Sequence, residues 1–140
     1  MSDKKLTAAY RFESNLNSML NNLKDKIENP IFQSLLEIGV DLLKDRKTPL
    51  IDDFIATSSP EIWKKLLNKD ENYLIEFSVL MMKKYNIPIE PSIVQNIFLK
   101  DKEFFWKYIH SFIRISIHHL NEKGFKDLAE SLAKDWNVKL

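Results

Sequence analysis

DKEFFWKYIHSFIRISIHHLNEKG, residues 101–124, contains both ends of one long helix and a broad apolar face between them. Asp101 is an N-cap residue by type, because its short carboxylate can accept from amides that a first helical turn leaves unbonded. Gly124 stands where the end of a helix calls for a residue able to turn left-handed. Between them Phe105, Trp106, Ile109, Phe112, Ile113, Ser116, Ile117 and Leu120 recur with helical spacing. At about 1.5 Å per residue this helix, residues 102–123, is expected to run roughly 30 Å and to be the spine of a small domain.

Working outward, the prolines mark helix starts. Asn29-Pro30, Thr48-Pro49 and Ser59-Pro60 each put a capping side chain before a proline at the first helical position. Asp70 before Glu71 offers a further start, and Glu90-Pro91 a weaker one. The spacing predicts a first helix over 6–28 with a narrow seam of Ala9, Phe12, Leu16, Leu20, Leu23 and Ile27. A second, over 30–44, is apolar around much of its circumference, with Gly39 placed for a close crossing. Short helices are expected over 49–56 and 60–68, a longer one over 71–85, then a break through Pro88 and Pro91. A short helix over 92–99, the spine, and a last helix over 125–136 complete the chain. Period-two alternation and hairpin turn signals are absent. The expected fold is all-α, a single compact domain of seven to eight unequal helices crossed around the spine.

Composition limits the function classes. The 140 residues, 44% hydrophobic, suit one domain spanning residues 1–140. Absence of cysteine removes disulfides, thiolate metal sites and cysteine nucleophiles. The polar residues Met1 to Lys5 and the lack of a long apolar run predict neither a secretory leader nor a membrane span, so a cytoplasmic chain is expected. Net charge is +1 and evenly spread, so no bulk field draws nucleic acid. Lysine, isoleucine and asparagine are plentiful, as in an AT-rich genome; a low-GC bacterium, a mobile element or a virus would each fit. With Gly39 and Gly124 as the only glycines, phosphate loops of the P-loop or dinucleotide type are excluded.

No catalytic, cofactor or metal residues are expected. The pairs Asp52 with Asp53 and Asp70 with Glu71 fall at helix starts, where acids complement the dipole. Ser58 and Ser59 lack a nucleophile elbow. His118 and Glu122 would give a metal only two ligands, fewer than zinc requires. His110, Arg114 and His118 share the polar stripe of the spine, which reads either as a solvated face or as a small anion-binding or pH-responsive surface.

Three functional readings remain. The leading expectation is a non-enzymatic regulatory, adaptor or assembly protein, bound to a protein partner or to itself through Leu16, Leu20, Leu23 and Ile27 of the first helix. The second is a cofactor-free sensory domain taking up an apolar small molecule or fatty acid, with Trp63, Met81, Ile109 and Phe112 lining the cavity. Its size and helix count are similar to those of a globin, but residues 89–100 carry no histidine for a haem. The third is DNA binding by a helix-turn-helix-like segment at 50–67, with Lys64, Lys65 and Lys69 on phosphate and Glu61 or Trp63 near base edges. That segment lacks the usual small residue and turn glycine and is acidic in its first helix, so nucleic acid is disfavoured as a partner.

Overall fold

The computed structural model describes residues 7–26, 30, 33–34, 36–38, 41, 50–87 and 90–140. These form helices α1 (Ala8–Lys26), α2 (Leu50–Ser58), a 3-10 turn (Pro60–Ile62), α3 (Trp63–Leu67), α4 (Glu71–Lys84), α5 (Pro91–Lys100), α6 (Lys102–Glu122) and α7 (Lys126–Trp136). No strand occurs among the described residues, and the fold is all-α. Of the helix expected over 30–44, only positions 30, 33–34, 36–38 and 41 are described, all helical; Gly39 and Pro49 lie outside the described residues.

α6 is the spine. Asp101 caps it by accepting from the Phe104 amide at 3.2 Å and also holds the Lys26 ammonium at 2.7 Å. The Lys26 bond first, and the Phe104 amide second, keep the Asp101 carboxyl below its usual range. Trp106, Ile109, Phe112, Ile113, Ser116, Ile117, His119 and Leu120 are buried along one side. Phe105 is half-buried rather than buried.

α1 runs antiparallel to α6 along its whole length, tied by polar bonds at each level. The Ala8 amide reaches Glu122 Oε1 at 3.4 Å, Asn15 Nδ2 donates to Ser111 Oγ at 2.9 Å, and Asn22 Nδ2 donates to Tyr108 Oη at 2.9 Å. The Lys26 bond to Asp101 closes the far end. α7 packs on the other flank of the spine through Ala129, Leu132, Ala133 and Trp136.

Four helical segments end alike. Lys69, Asn86, Gly124 and Asn137 all have φ between 54° and 93°. In each case the next residue's amide returns to the carbonyl five positions back: Asp70 to Lys65, Ile87 to Met82, Phe125 to Leu120 and Val138 to Ala133, at 2.9–3.0 Å. Thus α4 stops at Lys84 through a left-handed Asn86, ahead of Pro88. Asp70 caps α4 by accepting from the Tyr73 amide at 3.1 Å. Ser59 does not act as the expected cap: its φ is 58°, its side chain makes no capping bond, and the segment it precedes begins as a 3-10 turn.

Candidate functional site

Helices α1, α2, α4 and α6 surround an apolar cavity of about 200 Å³. Its aromatic side is a cluster in which Phe12 lies 4.8 Å from Phe112 and 5.2 Å from Phe54, ring centre to ring centre. Phe77 meets Phe54 edge-on at 5.3 Å. Such offset and edge contacts fix ring positions, because the positive edge of one ring faces the negative face of the next. The opposite side is flexible: Leu16, Met19 and Leu20 from α1, Met81 and Met82 from α4. Methionine adapts its three torsions to irregular contents, so this wall can reshape around a guest.

A second cavity, of about 130 Å³, lies against the first and shares Met19, Leu20, Ser78, Met82 and Ile109 with it. Leu23, Leu36 and Leu74 line it, as do Val94, Ile97 and Phe98 from α5 and Phe105 from α6.

Two side-chain hydroxyls reach the first cavity, and both are already engaged. Ser78 Oγ donates to the Leu74 carbonyl at 2.8 Å within α4. Tyr85 Oη donates to Asp53 Oδ2 at 2.7 Å, and the Lys84 ammonium stands 3.4 Å from the other oxygen of that carboxylate. With both hydroxyl protons engaged and the rest of the lining apolar, such a space favours apolar contents.

Of the residues expected to line a cavity, Met81, Ile109 and Phe112 do so. Trp63 does not. It is fully buried behind Phe54, with ring centres 6.4 Å apart, and its indole Nε1 donates to Ser58 Oγ at 2.8 Å. Ser58 in turn donates to the Phe54 carbonyl, and Tyr73 Oη donates to the Ser58 carbonyl at 2.6 Å. Burial, and secondarily Glu76, push the Tyr73 hydroxyl to a higher pKa, so it remains a donor. This buried network explains the pairing of Ser58 with an aromatic five residues on, a signal that sequence periodicity does not carry.

The α1 seam also differs from the interface expectation. Leu16 and Leu20 line the first cavity, and Leu23 is only 4% exposed against Leu36. The seam is turned into the chain's own core because the α1 asparagines bond to α6 on the flank beside it. Ile27 lies outside the described residues.

The DNA reading places Trp63 of the segment at 50–67 near base edges. α3 has only five residues and buries Trp63 and Leu66, so Trp63 cannot approach base edges. Lys64, Lys65 and Lys69 are exposed; Lys64 lies 3.9 Å from Asp135, and the Lys65 ammonium sits 5.6 Å from the centre of the Tyr73 ring.

His110, Arg114 and His118 lie on the side of α6 away from the cavity. Burial lowers the pKa of His110 against a bond of 2.9 Å between Nε2 and the Leu66 carbonyl. Burial, then the Arg11 charge, lowers that of His118. Among the described residues no three His, Asp or Glu side chains group as a metal would require, and no helix is long and apolar enough to cross a membrane. No family model matches the chain, and no curated protein or solved structure is significantly similar to it.

Proposed function

We propose that this chain is a non-enzymatic binding domain for an apolar small molecule, held in the cavity between α1, α2, α4 and α6. The carrying observation is the pair of adjoining apolar cavities, of about 200 and 130 Å³, both lined by Met19, Leu20, Met82 and Ile109. Apolar concave space of this kind is the usual form of a small-molecule site. Apolar walls left in contact with water favour an occupant that covers them, at about 25 cal/mol per Å² of apolar surface removed from water. An aliphatic chain or fused aromatic ring would supply that cover. Nothing in the lining offers a base, acid or nucleophile free to react, and binding is the role assigned.

The test uses N-phenyl-1-naphthylamine, a neutral probe whose emission rises in apolar surroundings. Saturable uptake by the purified chain is expected, with loss of uptake in Met82→Trp, which fills the wall common to both cavities, while the helical circular dichroism persists. No uptake by the folded wild type, together with native mass spectra showing no co-purified organic mass, overturns the reading.

A second reading, a regulatory, adaptor or assembly protein acting through a helical surface, is favoured by Phe125 and Leu128. They are 59% and 40% exposed, three residues apart at the start of α7. It predicts an oligomer or a captured partner that Phe125→Asp dissociates without unfolding.

A further inference from the structure

Across α6 from the cavity, α1 and α6 form a cleft of about 440 Å³ whose walls carry Arg11, Lys107, His110, Arg114 and His118. We infer that this cleft binds the phosphoryl group of a small anionic ligand, gripped between Arg11 on α1 and Arg114 on α6. The argument starts from placement. On α6, Lys107, His110, Arg114 and His118 follow at intervals of three and four residues, so their side chains project from one face. The Asn15 bond to Ser111 fixes α1 beside that face, and Arg11, one turn earlier on an antiparallel helix, falls opposite the stretch between Arg114 and His118. The influence of the Arg11 charge on His118 reports the same proximity.

The charges are left uncompensated. Although the chain has 20 acidic residues, none of Arg11, Lys107 and Arg114 forms an ion pair among the described residues. The flanking carboxylates on α6 are Glu103, one turn before Lys107, and Glu122, one turn beyond His118; neither forms an ion pair with these three cations among the described residues, and Glu122 accepts the Ala8 amide. Like charges gathered without partners repel one another, and an anion placed between them removes that cost.

Two guanidinium groups facing one cleft suit a phosphoryl group, whose three oxygens can accept from both, better than a carboxylate with two. The chain carries 18 lysines and only three arginines, and two of those three face this cleft. Guanidinium presents paired donors that match two oxygens of one phosphoryl group, which a lysine cannot do. Ser111 and the imidazoles of His110 and His118 add donors of the kind that complete an anion site. His110 is faced by Arg114, by Lys69 from the segment after α3, and by the Trp136 ring of α7; His118 is faced by Arg11 and Glu122. A bound dianion would favour the protonated form of both imidazoles, so binding draws protons from solution.

The experiment is isothermal titration of the full chain at low ionic strength with inorganic phosphate and pyrophosphate. Saturable binding is expected, with Arg11→Gln and Arg114→Gln each weakening it by about tenfold or more. Lys123→Gln, a charge change outside the cleft, should leave affinity unchanged. Both arginines are exposed, so these variants are expected to fold. Vesicles of phosphatidylcholine with phosphatidic acid distinguish the source: arginine-dependent vesicle binding assigns the phosphoryl group to a lipid, and soluble pyrophosphate binding without it assigns a free metabolite. Absence of saturable binding to every probe, or equal weakening by all three substitutions, overturns the inference. Met82→Trp, which closes the apolar cavity, should retain phosphoryl binding, so the two sites fail or stand separately.

Discussion

His119 Nε2 donates to Asp52 Oδ1 at 2.8 Å, joining the last turn of the spine to the first turn of α2. The imidazole is 3% exposed, and its Nδ1 has no partner among the described residues, so this one bond supplies the polar contact that the ring makes. Losing it leaves a buried donor unsatisfied. Asp52→Ala is therefore expected to lower the unfolding free energy by about 1–2 kcal/mol. Asp52→Asn, which keeps an acceptor oxygen, should cost less. Urea midpoints for the three proteins check the order.

The turn between α2 and α3 depends on Ser58, which is fully buried. Its hydroxyl is the acceptor for the Trp63 indole and a donor to the Phe54 carbonyl. Ser58→Ala strands the indole N–H in the core and is expected to cost about 1–3 kcal/mol. Because the Ser58 carbonyl still receives the Tyr73 hydroxyl, the fold should survive. Denaturant unfolding followed by tryptophan fluorescence measures the loss.

The left-handed helix ends give a pair of opposite effects. Gly124, at φ +93°, would meet nothing within 4 Å on gaining a Cβ, so the cost of Gly124→Ala is one of backbone conformation, about 1 kcal/mol. Lys69 holds φ 59° with a Cβ, a conformation that costs a side-chain-bearing residue about 1 kcal/mol. Lys69→Gly should recover part of that and raise the melting temperature, while Gly124→Ala lowers it. Thermal unfolding of the two variants tests both signs.

These ends also mark how far the sequence could be read. Gly124 announces its turn by residue type, and Asp101 and Asp70 announce their caps, because each is a local event of a few residues. Asn86 and Asn137 carry a weaker signal of the same kind, whereas Lys69 takes the same backbone path with none, since the returning amide bond and the packing beyond it decide the matter. Periodicity identifies Met81, Ile109 and Phe112 as inward-facing. It cannot report that facing side chains leave space between them. Asn15 and Asn22 read as solubilising residues until Ser111 and Tyr108, more than eighty residues on, are brought alongside. The α1 seam was legible as a seam, but what covers it is a long-range fact.

Acid should weaken the fold through the histidines of the polar stripe. Burial holds both His110 and His118 below the ordinary histidine value of 6.5 in the folded chain. A base whose folded pKa is lowered binds fewer protons folded than unfolded over that window. Its stabilising contribution is present above the unfolded value and is lost as pH falls through the lowered folded one. Urea midpoints should thus fall with acidification starting near pH 6.5, and the double variant His110→Gln with His118→Gln should show a flatter dependence. An unchanged slope in the double variant would assign the acid sensitivity to other groups.

Leu23 separates a core helix from a docking helix. Its side chain is 4% exposed and packs on Leu36, with Met19 and Leu20 beside it. Placing a carboxylate there buries a charge without a partner and removes an aliphatic contact, a combined cost of about 3 kcal/mol or more. Leu23→Asp should broaden the near-ultraviolet spectrum and shift the urea midpoint sharply downward. Phe125→Asp, on a side chain already 59% exposed, should leave both nearly unchanged. A folded Leu23→Asp protein that merely changed its subunit number would return α1 to the role of an intermolecular surface, because only a seam covered by another chain can accept a charge without unfolding its own.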